Sequence, residues 1–459
     1  MDTWAAREFV GCELPDARFH TSLAKNAEAL ATHSGDSFSV ACGDDGRQAA
    51  RRLFRHNGTS LKGLMKGHFE QTAARCSNMP LVIAAMDSMI LEYTEHHALT
   101  GLGPITTSGH GRGLVAHSAL AMSPSGEPVG LLALEVWARK DRKTPKRDER
   151  RRLPTCKKES NKWLVGLRSI ARVLPPGQEV LIVADREADI YDLFAARRRS
   201  TIHLLIRSNC RRRVEVDPSD IAETIEITKM SQAIEKAPVA GQITIDVQHK
   251  PGQPQRQAKM SVQFQSMSLV RPIGSVYSKS PAKPVSVIRV AEIDPPDGVE
   301  PIIWVLLSTK PVTDFESACQ MVHYYALRWT IERLHFTLKS GCLNVERVQI
   351  DDGAALINAL ALYYIVAWRV LHLTYLARTD SDEPADIVLT ESEMRVLTAT
   401  AEQRPVLTVR DALREIAILA GHPHYANAPT PGVKRLCRGM LILLAMVAGW
   451  ELARNSTEM

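Results

Sequence analysis

The 459-residue sequence contains no CxxC pair; its eight cysteines are scattered at 12, 42, 76, 156, 210, 319, 342 and 437. That scatter argues against a zinc ribbon and against a disulfide framework, and favours a reducing compartment. The start, MDTWAAREFVGCELPDAR, lacks a basic stretch followed by an apolar run, so no signal peptide is expected. No apolar run is both long and unbroken. Residues 354–370 are interrupted by Asn358, and 441–450 are too few to span a bilayer. Internal repeats and long low-complexity tracts are missing as well. These absences predict a soluble, cytoplasmic protein with no membrane partner.

What is present is ordinary for a globular chain: 45% apolar and 24% charged residues. The length suits about three domains at roughly 150 residues each. The net charge of +6 mildly favours a polyanionic partner, and its distribution says more. Residues 139–158 hold eleven Lys or Arg against three acids, and Arg211, Arg212 and Arg213 form a second cluster. A solvated loop and a DNA contact explain such clusters about equally.

Taken in order, residues 1–70 read as a small helical module anchored by Trp4, Phe9, Leu14, Leu23 and Leu30. Arg47, Arg51, Arg52, Arg55 and His56 make it basic. It suits a DNA-reading element as well as it suits a helical cap. The period then changes. Residues 81–87, 114–122 and 129–137 are apolar runs of strand length, the last two separated by the turn at 123–128. A helix is expected through 162–167, a buried strand at 179–185, a helix at 189–199 and a strand at 202–207, which implies a parallel portion of the sheet. Alternating stretches divided by Pro, Gly and Lys make about 209–301 a β-rich insertion. An apolar strand at 302–307 precedes a helix over 314–339, and the chain from 351 onward is helical. The last helix is expected at about 441–452, its apolar face left to either its own chain or a second copy.

Three carboxylates and one helix face carry the candidate chemistry. Asp87 and Asp185 each close an apolar strand, and Glu332 lies on the helix over 314–339. A lone strand-end Asp is more often a turn or cap residue. Two side by side are costly unless something positive neutralises them. Oxygen ligands with no His or Cys nearby suit Mg²⁺ or Mn²⁺, and two ions roughly 3.5–4 Å apart would serve phosphodiester chemistry. On the helix, Tyr325, Arg328, Glu332 and Lys339 stand at i, i+3, i+7 and i+14, one face of an ideal α-helix. Taken alone, that face is more simply a solvated charged surface. Glu187 and Asp189 read as helix-start charges or ion-pair partners, His117 as a core histidine, and Trp304 by default as core.

With these residues in view, the chain resembles the bacterial cut-and-paste DNA transposases of the insertion-sequence-four group. The most specific piece is Tyr325-x2-Arg328-x3-Glu332-x6-Lys339, which is similar to that group's Tyr-Arg-Glu-Lys signature at every spacing. Asp185-Arg186-Glu187-Ala188-Asp189 looks like the segment around its second catalytic Asp. Asp87, followed by Leu91 and Tyr93, looks like the first. Further similarity lies at Glu159-Ser160, Lys162-Trp163, Pro295-Pro296, Gly298, Trp304, Pro431-Gly432 and Arg438-Gly439; Ser22 departs from the pattern, where a basic residue is usual.

The resemblance implies a ribonuclease H-like α/β catalytic domain over 71–375 with the insertion at about 209–301. It also implies a helical DNA-end-binding domain over 1–70 and a helical dimerisation domain over 376–459. By it, Asp87, Asp185 and Glu332 are the catalytic, metal-binding acids for two Mg²⁺ or Mn²⁺ ions. Tyr325, Arg328, Lys339 and Arg207 would grip phosphates, and Trp304 would stack on a flipped base. The partners implied are double-stranded transposon ends, target DNA and a second copy of the chain. The reaction implied is nicking, hairpin formation, hairpin opening and strand transfer. Two rival readings are a transposase-derived DNA-binding protein without catalysis and a ribonuclease H-like nuclease.

Overall fold

The computed structural model describes residues 3–32, 38–106, 110–141, 153–208, 212–216, 226–247, 256–272, 282–341, 343–379, 382–401, 406–425 and 430–457. The chain forms two compact units that alternate along the sequence. A mainly helical unit takes residues 1–78, 88–142 and 330–459, and a sheet unit takes 79–87 and 143–329.

In chain order, α1 (Trp4–Glu8), α2 (Arg18–Thr32), α3 (Phe38–Arg55) and α4 (Leu61–Cys76) come first. This is the helical, widely anchored pattern the sequence predicts for its start. Ser60 begins α4 as an N-cap, its side chain accepting from the Gly63 N–H at 3.1 Å. Strands β1 (Val82–Glu92), β2 (Gly103–Pro104), β3 (Arg112–Met122) and β4 (Pro128–Trp137) follow. Then come α5 (Asn161–Val173), β5 (Val180–Ala184), α6 (Tyr191–Ala195) and β6 (Ile202–Arg207). The helix expected over 189–199 is cut to α6 because the Arg198 guanidinium takes the carbonyls of Phe194 and Ala196, ending it early.

The stretch read as a β-rich insertion holds β7 (Arg213–Val216), β8 (Glu226–Lys229), α7 (Met230–Lys236), β9 (Val239–Val247), β10 (Arg256–Leu269) and β11 (Lys283–Glu292). After β12 (Ile303–Ser308) come α8 (Phe315–Leu327), α9 (Trp329–Phe336), α10 (Gly353–Arg378), α11 (Glu391–Thr400), α12 (Val409–Leu419) and α13 (Val433–Thr457).

In the sheet unit, β1 runs parallel to β5 and β5 parallel to β6, so the expected parallel portion is present. From β6 outward the sheet turns antiparallel through β12, β11 and β10, with β9 and the β7–β8 hairpin on β10. The molecule is therefore a mixed α/β protein with a large mixed sheet. Val82, Ile83, Leu181, Ile182, Leu204 and Leu205 are fully buried. Such unbroken apolar strands belong where a sheet is covered on both faces.

The helical unit is built around α10. Its apolar residues run right round the helix, the pattern of a core helix. By length and composition it is the one described helix that would cross a membrane, but 83% of its apolar window is buried inside the unit. The polar Asn358 is accommodated because it donates to the Phe54 carbonyl at 2.9 Å, at the last turn of α3.

A buried ionic network ties α1 to α4 and β4. The Glu8 carboxylate meets His68 Nδ1 at 2.6 Å and accepts from Arg75 at 2.6 Å. His68 Nε2 accepts from the Leu131 N–H at 3.0 Å, and Arg75 also donates to the Val129 carbonyl at 2.6 Å. Gly67 permits the approach, since a Cβ there would stand 2.3 Å from the Val10 carbonyl oxygen. At the other end of the chain, α11, α12 and α13 share a core that includes Leu397, Leu413, Ile416 and Leu443. The buried face of α13 is thus spent on its own chain, and the helix is longer than the sequence suggests.

Cys12, Cys42, Cys76, Cys156 and Cys319 are free thiols, whereas Cys437 is disulfide-bonded.

Candidate active site

Register places the first two acids. The parallel pairing of β1 with β5 ends at Met86 opposite Ala184, so Asp87 and Asp185 are the next residues on neighbouring strands. Each rides on an apolar run whose burial fixes the register, because a slip of one residue would turn every side chain to the other face. Asp87 does not close its strand as the sequence suggests: β1 continues five residues further, to Glu92. Asp185 does follow the end of β5, and it also plays the plainer role weighed for it. It caps the short turn at Arg186–Ala188, its carboxylate accepting from the Glu187 N–H at 2.9 Å.

Basic and aromatic side chains of the sheet unit stand beside Asp87. Arg328 Nη1 lies 3.8 Å from its Oδ2, with both side chains largely buried. The Arg328 guanidinium is 5.9 Å from the centre of the Tyr325 ring, and Trp304 meets the same ring edge-on at 5.5 Å. Tyr325 is buried, which pushes its phenol up; the charges of Arg328 and Arg207 pull the other way. Burial pushes Arg207 down, partly offset by Tyr325. Arg207 ends β6, opposite Leu306 of β12, and donates to the Ile303 carbonyl at 3.1 Å. Trp304 is half-buried on β12, so its default assignment to the core does not hold.

The helix over 314–339 is not uniform. The capping box of Asp314 and Ser317 starts α8 where expected, α8 ends at Leu327 with Arg328 as its cap, and α9 follows at once. A π turn then covers Thr337–Gly341. A π turn is wider than an α turn, so Lys339 leaves the angular position that i+14 has in an ideal helix. Its ammonium instead pairs with Glu346 at 2.9 Å and donates to the Ile90 carbonyl at 3.1 Å. Glu332 is half-buried in the first turn of α9. The unit boundary falls between Trp329 and Thr330, so Glu332 and Lys339 are counted with the helical unit and the other candidate residues with the sheet unit.

The neighbours of Asp185 are structural, as their positions suggest. Glu187 pairs with Lys162 at 2.9 Å. Asp189, fully buried, accepts from Ser208 at 2.7 Å and pairs with Arg212. The Arg212 contact was missed by sequence reasoning; a basic cluster that begins four residues after a strand was its only signal. His117 is a buried side chain 2.9 Å from Ser88 Oγ. Most of the basic segment 139–158 lies outside the described residues, as does Arg211; Arg139 donates to the Ile105 carbonyl at 2.8 Å.

The paired carboxylates of Asp87 and Asp185 suit a hard divalent cation in their donor chemistry. In number they are too few for a complete cage. Among the described residues no group of three or more His, Cys, Asp or Glu side chains gathers as a metal site. Residues 1–58 match the family described as transposase DNA-binding. The match covers α1, α2 and α3 and supports a transposase that binds DNA.

Proposed function

We propose that the chain is a DNA transposase of the Asp-Asp-Glu type, on a ribonuclease H-like catalytic domain, that cuts transposon ends and joins them to target DNA. The observation that carries the reading is the register that sets Asp87 beside Asp185, with Arg328 3.8 Å from the first. The transposase DNA-binding match over residues 1–58 supplies the substrate class.

In this reading Asp87, Asp185 and Glu332 would hold two Mg²⁺ ions, which would supply Lewis-acid chemistry for phosphodiester cleavage and joining when bound. Arg328 and Arg207 hold a phosphate close to the carboxylates, and Tyr325 braces both guanidiniums. Trp304 offers a half-exposed ring on which an unstacked base packs, stabilising a distorted DNA end. Lys339 adds charge to the DNA grip. Nicking, hairpin formation, hairpin opening and strand transfer are each an in-line attack on phosphorus, so one site serves all four. The acting form is a dimer on two DNA ends.

A DNA-binding protein without catalysis is the second reading, favoured by the lack of a three-acid cluster among the described residues. One experiment separates the two. Purified protein, Mg²⁺ and a DNA fragment bearing the inverted repeats that flank the reading frame should give cleaved and joined products. Glu332→Gln should bind the fragment without cutting it. Cleavage by Glu332→Gln sinks the acid assignment, and binding without cleavage by the natural protein establishes the second reading.

A further inference from the structure

The helical unit holds a cavity of about 490 Å³ among α1, α2, α10, α11, α12 and α13. We propose that this cavity binds a small carboxylate with an apolar tail, its headgroup on Arg369 and its tail among side chains of α10, α12 and α13. No candidate catalytic residue lines the cavity, so the proposed function stands or falls separately.

A buried charge sets the headgroup site. Arg369 lines the cavity from α10 and is only 9% exposed. Burial pushes its guanidinium down to about 10, which leaves it charged at neutral pH. A charge in that setting is costly unless it is paired. Among the described residues Arg369 is in no ion pair. It donates to the Val388 carbonyl at 2.6 Å, and its guanidinium lies 5.7 Å from the centre of the Trp4 ring. A guanidinium carries five N–H donors, so one hydrogen bond leaves most of them to spend. The acids whose charges support it are engaged elsewhere. Glu393 accepts from the Thr390 N–H at 2.6 Å in the capping box of α11, and Glu8 is held by His68 and Arg75. Of the other lining acids, Glu391 pairs with Arg395 at 2.6 Å, and Glu28 has Thr3 and Lys25 beside it. A carboxylate entering the cavity brings the pair of oxygens that a guanidinium fork matches.

The tail site is apolar. Val370 and Leu373 of α10, Leu413 of α12, and Leu436, Leu444 and Val447 of α13 line the same space. Leu373 stands four residues after Arg369, so α10 presents charge and apolar surface on one face. The volume lies within the roughly 300–1,000 Å³ of small-molecule sites, and those sites join mainly apolar walls to a few polar groups that fix orientation. An alcohol with the same tail would leave the guanidinium charge unpaired. A short anion such as acetate would leave the apolar walls unused. An acid with an apolar tail satisfies both.

The test uses the full chain and calorimetric titration with decanoate, kept below the concentration at which it forms micelles. One decanoate should bind per chain. Decanol should bind about tenfold to a hundredfold more weakly, the worth of hydrogen bonds to a charged group. Hexanoate, four methylenes shorter, should lose roughly two orders of magnitude. Arg369→Leu should bring decanoate down to the level of decanol. Leu444→Trp, which fills the tail site and keeps the charge, should abolish binding of both. Arg172→Ala, exposed on α5 of the sheet unit, should change neither. Circular dichroism checks that each variant is folded; if Arg369→Leu is not, decanol and Leu444→Trp decide. The assignment is overturned if decanoate does not bind the natural protein, if decanol matches it, or if Leu444→Trp binds decanoate as tightly as the natural protein does.

Discussion

Two sets of acids in this chain are handled in opposite ways. In the helical unit Glu8 is buried, and His68 and Arg75 each approach its carboxylate to 2.6 Å. In the sheet unit Asp87 has Arg328 at 3.8 Å, and the half-buried Asp185 uses one oxygen on the Glu187 N–H. Burial alone would push the Glu8 carboxyl up, but the charge and hydrogen bond of His68, then those of Arg75, hold it at about 2. A carboxylate enclosed by short contacts from its own chain is committed to the fold. A pair set side by side on neighbouring strands, with a cation close by, is where chemistry is expected.

The largest expected effect falls on the sheet unit. Asp185→Asn should lose cleavage and joining by orders of magnitude while the unfolding midpoint moves little; a comparable loss of stability would place Asp185 with the structural acids. The next falls on the helical unit. Glu8→Ala breaks a buried ionic network and should cost about 3–5 kcal/mol in a urea titration.

Acid should separate the two sets as well. Glu8 has its carboxyl lowered from 4.5 to about 2, so its stabilisation is complete above 4.5 and disappears as the pH falls toward 2. Burial pushes His68 below its ordinary 6.5, so the unfolded chain takes up that proton first and stability begins to fall below about 6.5. Thermal melts of Glu8→Gln against pH should lack the lower of these two losses. Trp304→Ala should reduce cleavage at a transposon end by the equivalent of about 1–3 kcal/mol, the worth of one stacked base, and leave cutting of a pre-distorted end less affected. Smallest of all, Lys339→Met should lower stability by at most about 1 kcal/mol, because its pair with Glu346 is partly exposed.

Much of this was legible along the chain. The apolar runs at 82–86 and 180–184 announced buried strands, and β6 occupies the very residues expected of it. The alternating residues of 239–247 and 283–292 marked the insertion as strands. Local signals failed where a distant side chain intervened, as when Arg198 shortened α6. They failed again at Lys339, because a period of 3.6 assumes an unbroken α-helix and the π turn departs from it. The Arg212–Asp189 pair and the cavity beside Arg369 join residues far apart in sequence, which no local pattern reports.

By itself the sequence determined which residues are candidates: strand and helix periods set the elements, and the acids and basic residues sit at fixed places on them. Only the tertiary structure decided which acids are spent. Pairing of β1 with β5 brought Asp87 to Asp185 across more than ninety residues of chain, while packing enclosed Glu8 and Asp189. The physical reason is desolvation. Whether a carboxylate is a structural ion or a reactive one depends on what surrounds it in space, and that is written in the register of a sheet and the seating of a helix.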